Sequence, residues 1–167
     1  MAKYVNMPDQ PTNTLKHWLW ISLLVIVLDQ ITKLVADGSL SLHQPVAIMP
    51  MFNFTLMYNQ GAAFSFLSDA GGWQRWFFIL LSSAISIILV IWLRRLKQDQ
   101  KLQTVAIALI LGGAIGNLID RSLYGYVVDF IDVYYQHHHW PAFNIADSAI
   151  VIGAGLLIID TFKNAHD

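Results

Sequence analysis

Two stretches of the chain, WFFILLSSAISIILVIWL (76–93) and LQTVAIALILGGAIGNLI (102–119), contain no charged residue over 18 positions each. A helix rises about 1.5 Å per residue, so each stretch is just long enough to cross the hydrocarbon core of a bilayer, which is about 30 Å thick. The two stretches therefore predict two membrane-spanning helices, joined by the short basic segment RRLKQDQK (94–101).

Two weaker apolar runs flank this pair. The first is interrupted late by Asp29 and Lys33, and the last is interrupted early by Asp147. The first run could instead be a cleaved signal peptide, but it continues into LDQITKLVADG without a small-x-small cleavage site. We therefore expect an all-α membrane protein, a single domain over 1–167, with four transmembrane helices. The predicted spans are about 17–35, 73–93, 102–120 and 141–160.

The composition agrees with a membrane protein. Of the 167 residues, 56% are hydrophobic and only 13% are charged, which is far from the composition of a soluble domain. The chain has no cysteine, so disulfides, a thiolate nucleophile and cysteine metal sites are excluded. A net charge of −1 argues against nucleic acid as a partner. We expect no cofactor and no metal.

The basic residues predict the orientation. Seven of the ten Lys and Arg residues lie in the N-terminal segment, the 94–101 segment and the C-terminal segment, which leaves Lys33, Arg75 and Arg121 on the other side. By the positive-inside rule, both termini and the 94–101 segment are predicted to be cytoplasmic.

Both connections on the opposite, outer side are long and carry strand signals. MFNFTLMYN (51–59) alternates apolar and polar residues, and YGYVVDFIDVYY (124–135) is rich in β-branched and aromatic residues. These segments predict a small β-sheet on the outer surface of the membrane.

The acidic residues are concentrated on the same outer side. All eleven are aspartates, and seven of them lie in the outer half. Two carboxylates brought together at a poorly solvated margin share a proton, which suits peptide hydrolysis, but paired acids also serve proton-coupled transporters. The seven outer aspartates are Asp29, Asp37, Asp69, Asp120, Asp129, Asp132 and Asp147.

Some of these polar residues have simpler interpretations. Asp37 and Asp69 lie in glycine-containing stretches and are expected to be turn residues. Asp29 and Lys33 are spaced i, i+4 on the first helix, so we expect a structural ion pair. The tract 137–139, HHH, is expected to be a solvated loop, because adjacent histidines in an extended loop cannot all face one metal ion.

The third predicted span carries two recognisable faces. Gly112 and Gly116 form a small-xxx-small pattern that allows close helix contact. Asn117 and Arg121 are spaced i, i+4, so one helix face delivers an amide and a guanidinium to the outer end of the bundle. We expect Arg121 to point towards a substrate carbonyl or another carboxylate.

Five sequence blocks, taken in order, resemble the signature blocks of the bacterial lipoprotein signal peptidases, the signal peptidase II family. The blocks are DQITK (29–33), NQGAAFSF (59–66), GGAIGNLIDR (112–121), VVDFIDV (127–133) and FNIADSAI (143–150). The resemblance extends from the first predicted span to the fourth.

The resemblance implies a membrane aspartyl endopeptidase of the bacterial inner membrane. It implies four spans, both termini in the cytoplasm, and a small sheet and active site on the periplasmic side. The implied reaction removes the signal peptide from diacylglyceryl-modified prolipoproteins, on the N-terminal side of the lipidated cysteine. The expected partners are this substrate and membrane lipids, with the enzyme as a monomer.

The resemblance also implies roles for individual residues. Asp129 and Asp147 match the catalytic aspartates, which demotes Asp132. The positions implied to bind substrate or support the catalytic pair are Asn59, Gly61, Asn117, Arg121 and Asn144. A proton-coupled transporter remains the alternative from another class, and it predicts polar groups near the midplane and an internal repeat.

Overall fold

A computed structural model describes residues 15–61 and 72–164. Its four helices are each long and apolar enough to cross a membrane, and a small antiparallel sheet accompanies them, which confirms the predicted fold class. In chain order the elements are α1 (Leu15–Ser39), β1 (Val46–Met49), β2 (Phe52–Asn59), α2 (Trp73–Arg95), α3 (Lys101–Leu123), β3 (Val127–Tyr135), β4 (His138–His139) and α4 (Ile145–Asn164).

Several helix boundaries differ from the expected spans, and two of these differences change the interpretation of individual residues. Helix α1 continues to Ser39, so Asp37 lies in its last turn and is not a turn residue. The Tyr58 hydroxyl donates a 2.6 Å hydrogen bond to Asp37, which joins the end of α1 to the sheet. Helix α4 begins at Ile145 and not near residue 141, because Asn144 caps it. Asp69 lies outside the described residues.

Helix α3 is the centre of the bundle and packs against α1, α2 and α4. Its contact with α2 forms an apolar core from Leu89 and Leu93 of α2 with Ile107 and Leu111 of α3. The lipid-facing sides of the other helices are apolar and exposed in the protein alone, as expected for helices whose outer surface contacts lipid.

Glycines on α3 allow its neighbours to approach closely, as the small-xxx-small pattern predicts. A Cβ at Gly112 would lie 2.8 Å from the Val25 Cβ, and one at Gly116 would lie 2.6 Å from Asp29 Oδ2. A Cβ at Gly113 would overlap the carbonyl oxygen of Ala146 on α4. The glycine face therefore allows both α1 and α4 to pack closely against α3, and it brings Asp29 of α1 next to α3 and the start of α4.

The sheet has the strand order β1-β2-β3-β4, and all its pairs are antiparallel. Strands β2 and β3 confirm the two predicted strand segments. Strand β4 falls within the histidine tract and pairs Tyr134 with His139, so the tract is exposed as predicted, but the expectation of a loop was wrong for its last two residues.

An irregularity in β3 changes which side chains share a face. The backbone N–H groups of Phe130 and Ile131 both donate to the carbonyl oxygen of Phe143, at 3.1 and 2.9 Å. One carbonyl facing two consecutive residues is the pattern of a β-bulge. Asp129 and Asp132, three positions apart, consequently line the same cavity instead of opposite faces.

Candidate active site

The start of α4 explains how an apolar helix accommodates Asp147. The Asn144 Oδ1 atom accepts a 2.9 Å hydrogen bond from the Asp147 N–H, and the Asn144 N–H donates to Asp147 Oδ2 at 3.2 Å. This reciprocal pair is a capping box, which satisfies two backbone donors that a helix start otherwise leaves free. The carboxylate also lies at the helix N-terminus, where the helix dipole stabilises negative charge.

Asp129 lies on β3 and is only 2% exposed. Its Oδ1 accepts a 2.7 Å hydrogen bond from Asn144 Nδ2, and its Oδ2 accepts a 3.0 Å bond from Asn59 Nδ2. Burial, and then the negative charge of Asp147, raise the pKa of Asp129 to about 7, although the two amide hydrogen bonds oppose this shift. Near neutral pH this carboxyl can therefore hold a proton.

Asn144 contacts both carboxyl groups and is completely buried. Its side-chain nitrogen also lies 3.2 Å from Asn117 Oδ1. Asn117 in turn donates a 2.8 Å hydrogen bond from Nδ2 to Asp147 Oδ1. The two aspartates are thus held by three asparagine amides, which come from β2, α3 and the residue before α4.

Arg121 and Gly61 belong to the same cluster. Arg121 Nη2 donates a 3.0 Å hydrogen bond to the Gly61 carbonyl, and the guanidinium lies over the Phe78 ring, 5.1 Å from its centroid. The Arg121 Nε atom is buried and has no hydrogen-bond partner among the described residues. Asn59 Oδ1 accepts from the Gly61 N–H at 3.1 Å. The seven residues to which the family resemblance assigns catalytic, binding or supporting roles therefore form one connected hydrogen-bond cluster.

Lys33 and Asp29 form the expected ion pair, with Lys33 Nζ 2.8 Å from Asp29 Oδ2. Both side chains are buried, and the Lys33 ammonium also contacts a second carboxylate. Asp120 Oδ2 lies 3.0 Å from the same Nζ atom. Asp29 Oδ1 accepts a 2.9 Å hydrogen bond from the Ala146 N–H at the start of α4. Gln30 Nε2 donates to Asp120 Oδ1 at 2.8 Å. A buried ionic cluster thus joins α1, α3 and α4 beside the two aspartates.

Asp132 lies in a separate hydrogen-bond network. His139 Nδ1 lies 2.7 Å from Asp132 Oδ1, while Thr55 and Asn53 donate to Oδ2 at 2.8 and 3.3 Å. Burial alone raises the pKa of Asp132, but the hydrogen bonds from His139, Thr55 and Asn53 outweigh it and lower the pKa overall. Both oxygens are occupied by partners that join three strands, so this carboxylate serves the sheet.

Two cavities meet at the aspartates. One, of about 650 Å³, lies over the sheet and is lined by Asp129, and the other, of about 640 Å³, is lined by Asp147, Arg121 and apolar residues of α4. They share Asn59 and the segment 140–142. Val151, which lines the second cavity, is 70% exposed in the protein alone, so this cavity opens towards lipid. A peptide occupying both cavities would pass both carboxyl groups.

Residues 21–163 match the family described as signal peptidase (SPase) II. The chain belongs to the signal peptidase II family. It is 62% identical over 145 residues to a lipoprotein signal peptidase of Acinetobacter baumannii, covering 87% of this chain and 82% of the relative. It is 55% identical over 148 residues to a lipoprotein signal peptidase of Alteromonas mediterranea, covering 89% and 81%.

A solved structure described as a bacterial membrane enzyme, determined by the in meso method at 2.3 Å resolution, shares the fold of this peptidase. The TM-score is 0.81 at 36% identity, over 90% of each chain. Membership in a peptidase family sets aside the transporter alternative. Among the described residues, no group of three His or Asp side chains is placed to hold a metal ion.

The sequence does not predict that Asp120 and Gln30 belong to the buried ionic cluster beside this peptidase's two aspartates. Their contacts depend on the rotation of α1 against α3, which spacing along a single helix does not define. The capping box had a readable signal. An Asn followed three residues later by an acid, just before an apolar run, is typical of a helix start.

Proposed function

We propose that this signal peptidase II removes the signal peptide from prolipoproteins whose cysteine carries a diacylglyceryl group, and cuts on the N-terminal side of that cysteine. We propose Asp129 and Asp147 as its catalytic pair. The observation that supports this assignment best is that one buried residue, Asn144, hydrogen-bonds to both carboxyl groups, to Asp147 through its backbone N–H and to Asp129 through its side-chain amide.

The reaction needs one carboxylate and one carboxylic acid. Asp147 is the proposed general base, since it accepts hydrogen bonds from Asn117 and from the Asn144 N–H at a helix N-terminus, and these interactions stabilise a carboxylate. Asp129, with a pKa of about 7, is the proposed acid. Asp147 takes a proton from water as the oxygen attacks the scissile carbonyl, and Asp129 gives its proton to the carbonyl oxygen.

Collapse of the resulting tetrahedral intermediate completes the reaction. The proton that Asp147 took from water passes to the leaving nitrogen, and the carbonyl re-forms as the hydroxyl proton returns to Asp129. The products are a new carboxyl group on the signal peptide and a free amino group on the cysteine. The pair returns to its starting protonation state, so no cofactor is needed.

The cavities provide a path for a lipid-modified chain. A scissile bond must leave helical conformation before water can reach its carbonyl, and the unwound backbone then needs hydrogen-bond partners. Asn59, which lines both cavities, and Arg121, which lines the second, are polar groups available for this role. The exposed apolar residues beside the second cavity would allow acyl chains to stay in the bilayer while the peptide reaches the aspartates.

The proposed location is the bacterial inner membrane, with both termini in the cytoplasm and the aspartates at the periplasmic side. The support is the concentration of basic residues, of which Lys16 at the start of α1, Lys163 at the end of α4 and those of the α2–α3 connection lie at the opposite end of the helices from the sheet. We also propose that the enzyme works as a monomer, since both aspartates and their asparagine partners come from one chain.

The test compares two forms of one prolipoprotein, with and without the diacylglyceryl group, incubated with purified enzyme in detergent and followed by mass spectrometry. Buried acyl chains contribute about 0.8 kcal/mol per CH₂, so the modified form should be cut far faster. Equal rates on both forms would refute the proposed substrate class.

The catalytic assignment is tested with matched variants of three buried or half-buried aspartates. Asp129→Asn and Asp147→Asn should each abolish cleavage while the protein still inserts and folds. Asp132→Asn is the control, since Asp132 lines the same cavity as Asp129 but bonds to residues of the sheet. Cleavage by Asp147→Asn, or equal loss in the control, would refute the pair.

A further inference from the structure

Lys33 makes three polar contacts, and only two of them are ionic. Its ammonium lies 2.8 Å from Asp29 and 3.0 Å from Asp120, and it donates a third bond, of 3.0 Å, to Asn117 Oδ1. An ammonium has three N–H donors, so each contact takes one. The side chain is only 3% exposed, and no donor is left over for water or substrate.

The third contact determines which way the Asn117 amide points. With Oδ1 facing the Lys33 ammonium, Nδ2 faces Asp147 Oδ1 at 2.8 Å. The reverse orientation would place an amide NH₂ against an ammonium and an amide oxygen against a carboxylate, two repulsive contacts. Asn144 Nδ2 also approaches Asn117 Oδ1, but at 3.2 Å, and its shorter bond of 2.7 Å goes to Asp129.

We infer that Lys33 is a positioning residue for the reaction: its ammonium holds the Asn117 side-chain amide in the one orientation that donates a hydrogen bond to Asp147. This inference rests on the role proposed above for Asp147. It adds a function to a lysine that the sequence predicts only as half of a structural ion pair.

The position of Lys33 separates this role from substrate binding. Lys33 lines neither of the two large cavities, so its removal leaves the walls that would contact substrate in place. Loss of one hydrogen bond to a charged group should slow turnover by about 10- to 100-fold. The expected signature is therefore a lower kcat with a KM that stays within about twofold.

A simple Lys33→Met change would leave two buried carboxylates beside each other, and such a change alone could unfold the protein. The experiment therefore uses an Asp120→Asn background. Removing one carboxylate together with the ammonium returns the cluster to its original net charge. Asp120 is outside the two large cavities, so Asp120→Asn alone should cleave lipid-modified prolipoprotein at close to the wild-type rate.

Four enzymes form a double-mutant cycle: Asp120→Asn alone, and the same background with Lys33→Met, with Asn117→Ala, and with both. We expect Lys33→Met and Asn117→Ala to lower kcat by similar factors, and the combination to lower it no further, because one residue acts through the other. Thermal unfolding in the same detergent checks that each protein is folded.

Three results would overturn the inference. They are full turnover by Lys33→Met in the Asp120→Asn background, losses that multiply in the combined variant, and an equal loss in Asp120→Asn alone. Should the Met variant not fold, Lys33→Leu in the same background replaces it, and its kcat must also fall. Absence of cleavage by wild-type enzyme would instead refute the proposed function, so the two failures are distinguishable.

Discussion

Asp129→Asn should change the pH dependence of stability as well as activity. The folded protein raises the pKa of Asp129 from 3.8 to about 7, mainly by burial. The folded state therefore keeps a proton that the unfolded state releases between about pH 4 and pH 7. Stability of the wild type should fall as the pH rises through that window and level off above it.

The magnitude follows from the size of the shift. Each unit by which a pKa is raised corresponds to a little over 1 kcal/mol, so raising the pKa of Asp129 from 3.8 to about 7 costs the wild type about 4 kcal/mol above pH 7. Asp129→Asn removes this cost, but the NH₂ group of the new side chain then faces another donor, either Asn144 Nδ2 or Asn59 Nδ2, and one of the two hydrogen bonds is lost. That loss costs about 1–3 kcal/mol. The variant should be more stable by about 1–3 kcal/mol at pH 8, and equal or slightly less stable at pH 5.

The assay is thermal unfolding of both proteins in one detergent from pH 5 to pH 8. For a chain of this size, 1 kcal/mol shifts the melting temperature by about 2–4 °C, so the two curves should diverge by several degrees as the pH rises. A constant difference across this range would refute the raised pKa. Cleavage should be absent in the variant at every pH, and wild-type turnover should fall above about pH 7 as Asp129 loses its proton.

Three other predictions test packing, recognition and orientation. Gly116→Ala should destabilise the protein by about 2 kcal/mol or more in thermal unfolding in detergent, because its Cβ would lie 2.6 Å from a carboxylate oxygen of α1. Gly155→Ala is the control: a Cβ there would have no neighbour within 4 Å, so this variant should be neutral or slightly stabilised, and equal effects of the two changes would contradict the close α1–α3 contact. Arg121→Lys should lose most activity on lipid-modified prolipoprotein, because a point charge cannot reproduce the guanidinium contacts with the Gly61 carbonyl and the Phe78 ring. Near-full activity would show that only the positive charge of Arg121 matters. The chain lacks cysteine, so a single introduced cysteine reports the side of the membrane on which it lies. In intact cells, Gln98→Cys should react only with membrane-permeant thiol reagents, whereas His137→Cys should also react with impermeant ones, and the opposite pattern would invert the proposed orientation.

Much of the helical framework could be read from the sequence, because a bilayer imposes a minimum length on apolar runs and excludes unpaired charges. Strands β2 and β3 were also predictable, since each is long and rich in residues that favour strands. Strand β1 was not, because VAIM shows no alternation and all four of its residues are exposed. Strand β4 has only two residues, too few to carry any pattern.

The contacts of the site depend on geometry that sequence spacing does not contain. The i, i+4 rule predicted that Lys33 meets Asp29, but it could not show that the same ammonium reaches Asp120 and Asn117 on another helix. The bulge opposite Phe143 likewise reverses the face expected from strict alternation in β3. Family resemblance named the two aspartates without indicating what holds them.

The capping box at α4 has a consequence for biosynthesis. Asn144 and Asp147 form the first turn of α4, which follows the other seven elements in chain order and is the latest of them to leave the ribosome. Asp29 on α1, the first helix to be synthesised, accepts a hydrogen bond from the Ala146 N–H of that same turn, 117 residues later in the sequence, so this bond cannot form until α4 is made. Nascent chains that have inserted only α1, α2 and α3 carry Asp129 without its partner. The protease should therefore be unable to cut anything, including its own emerging loops, until α4 has entered the bilayer.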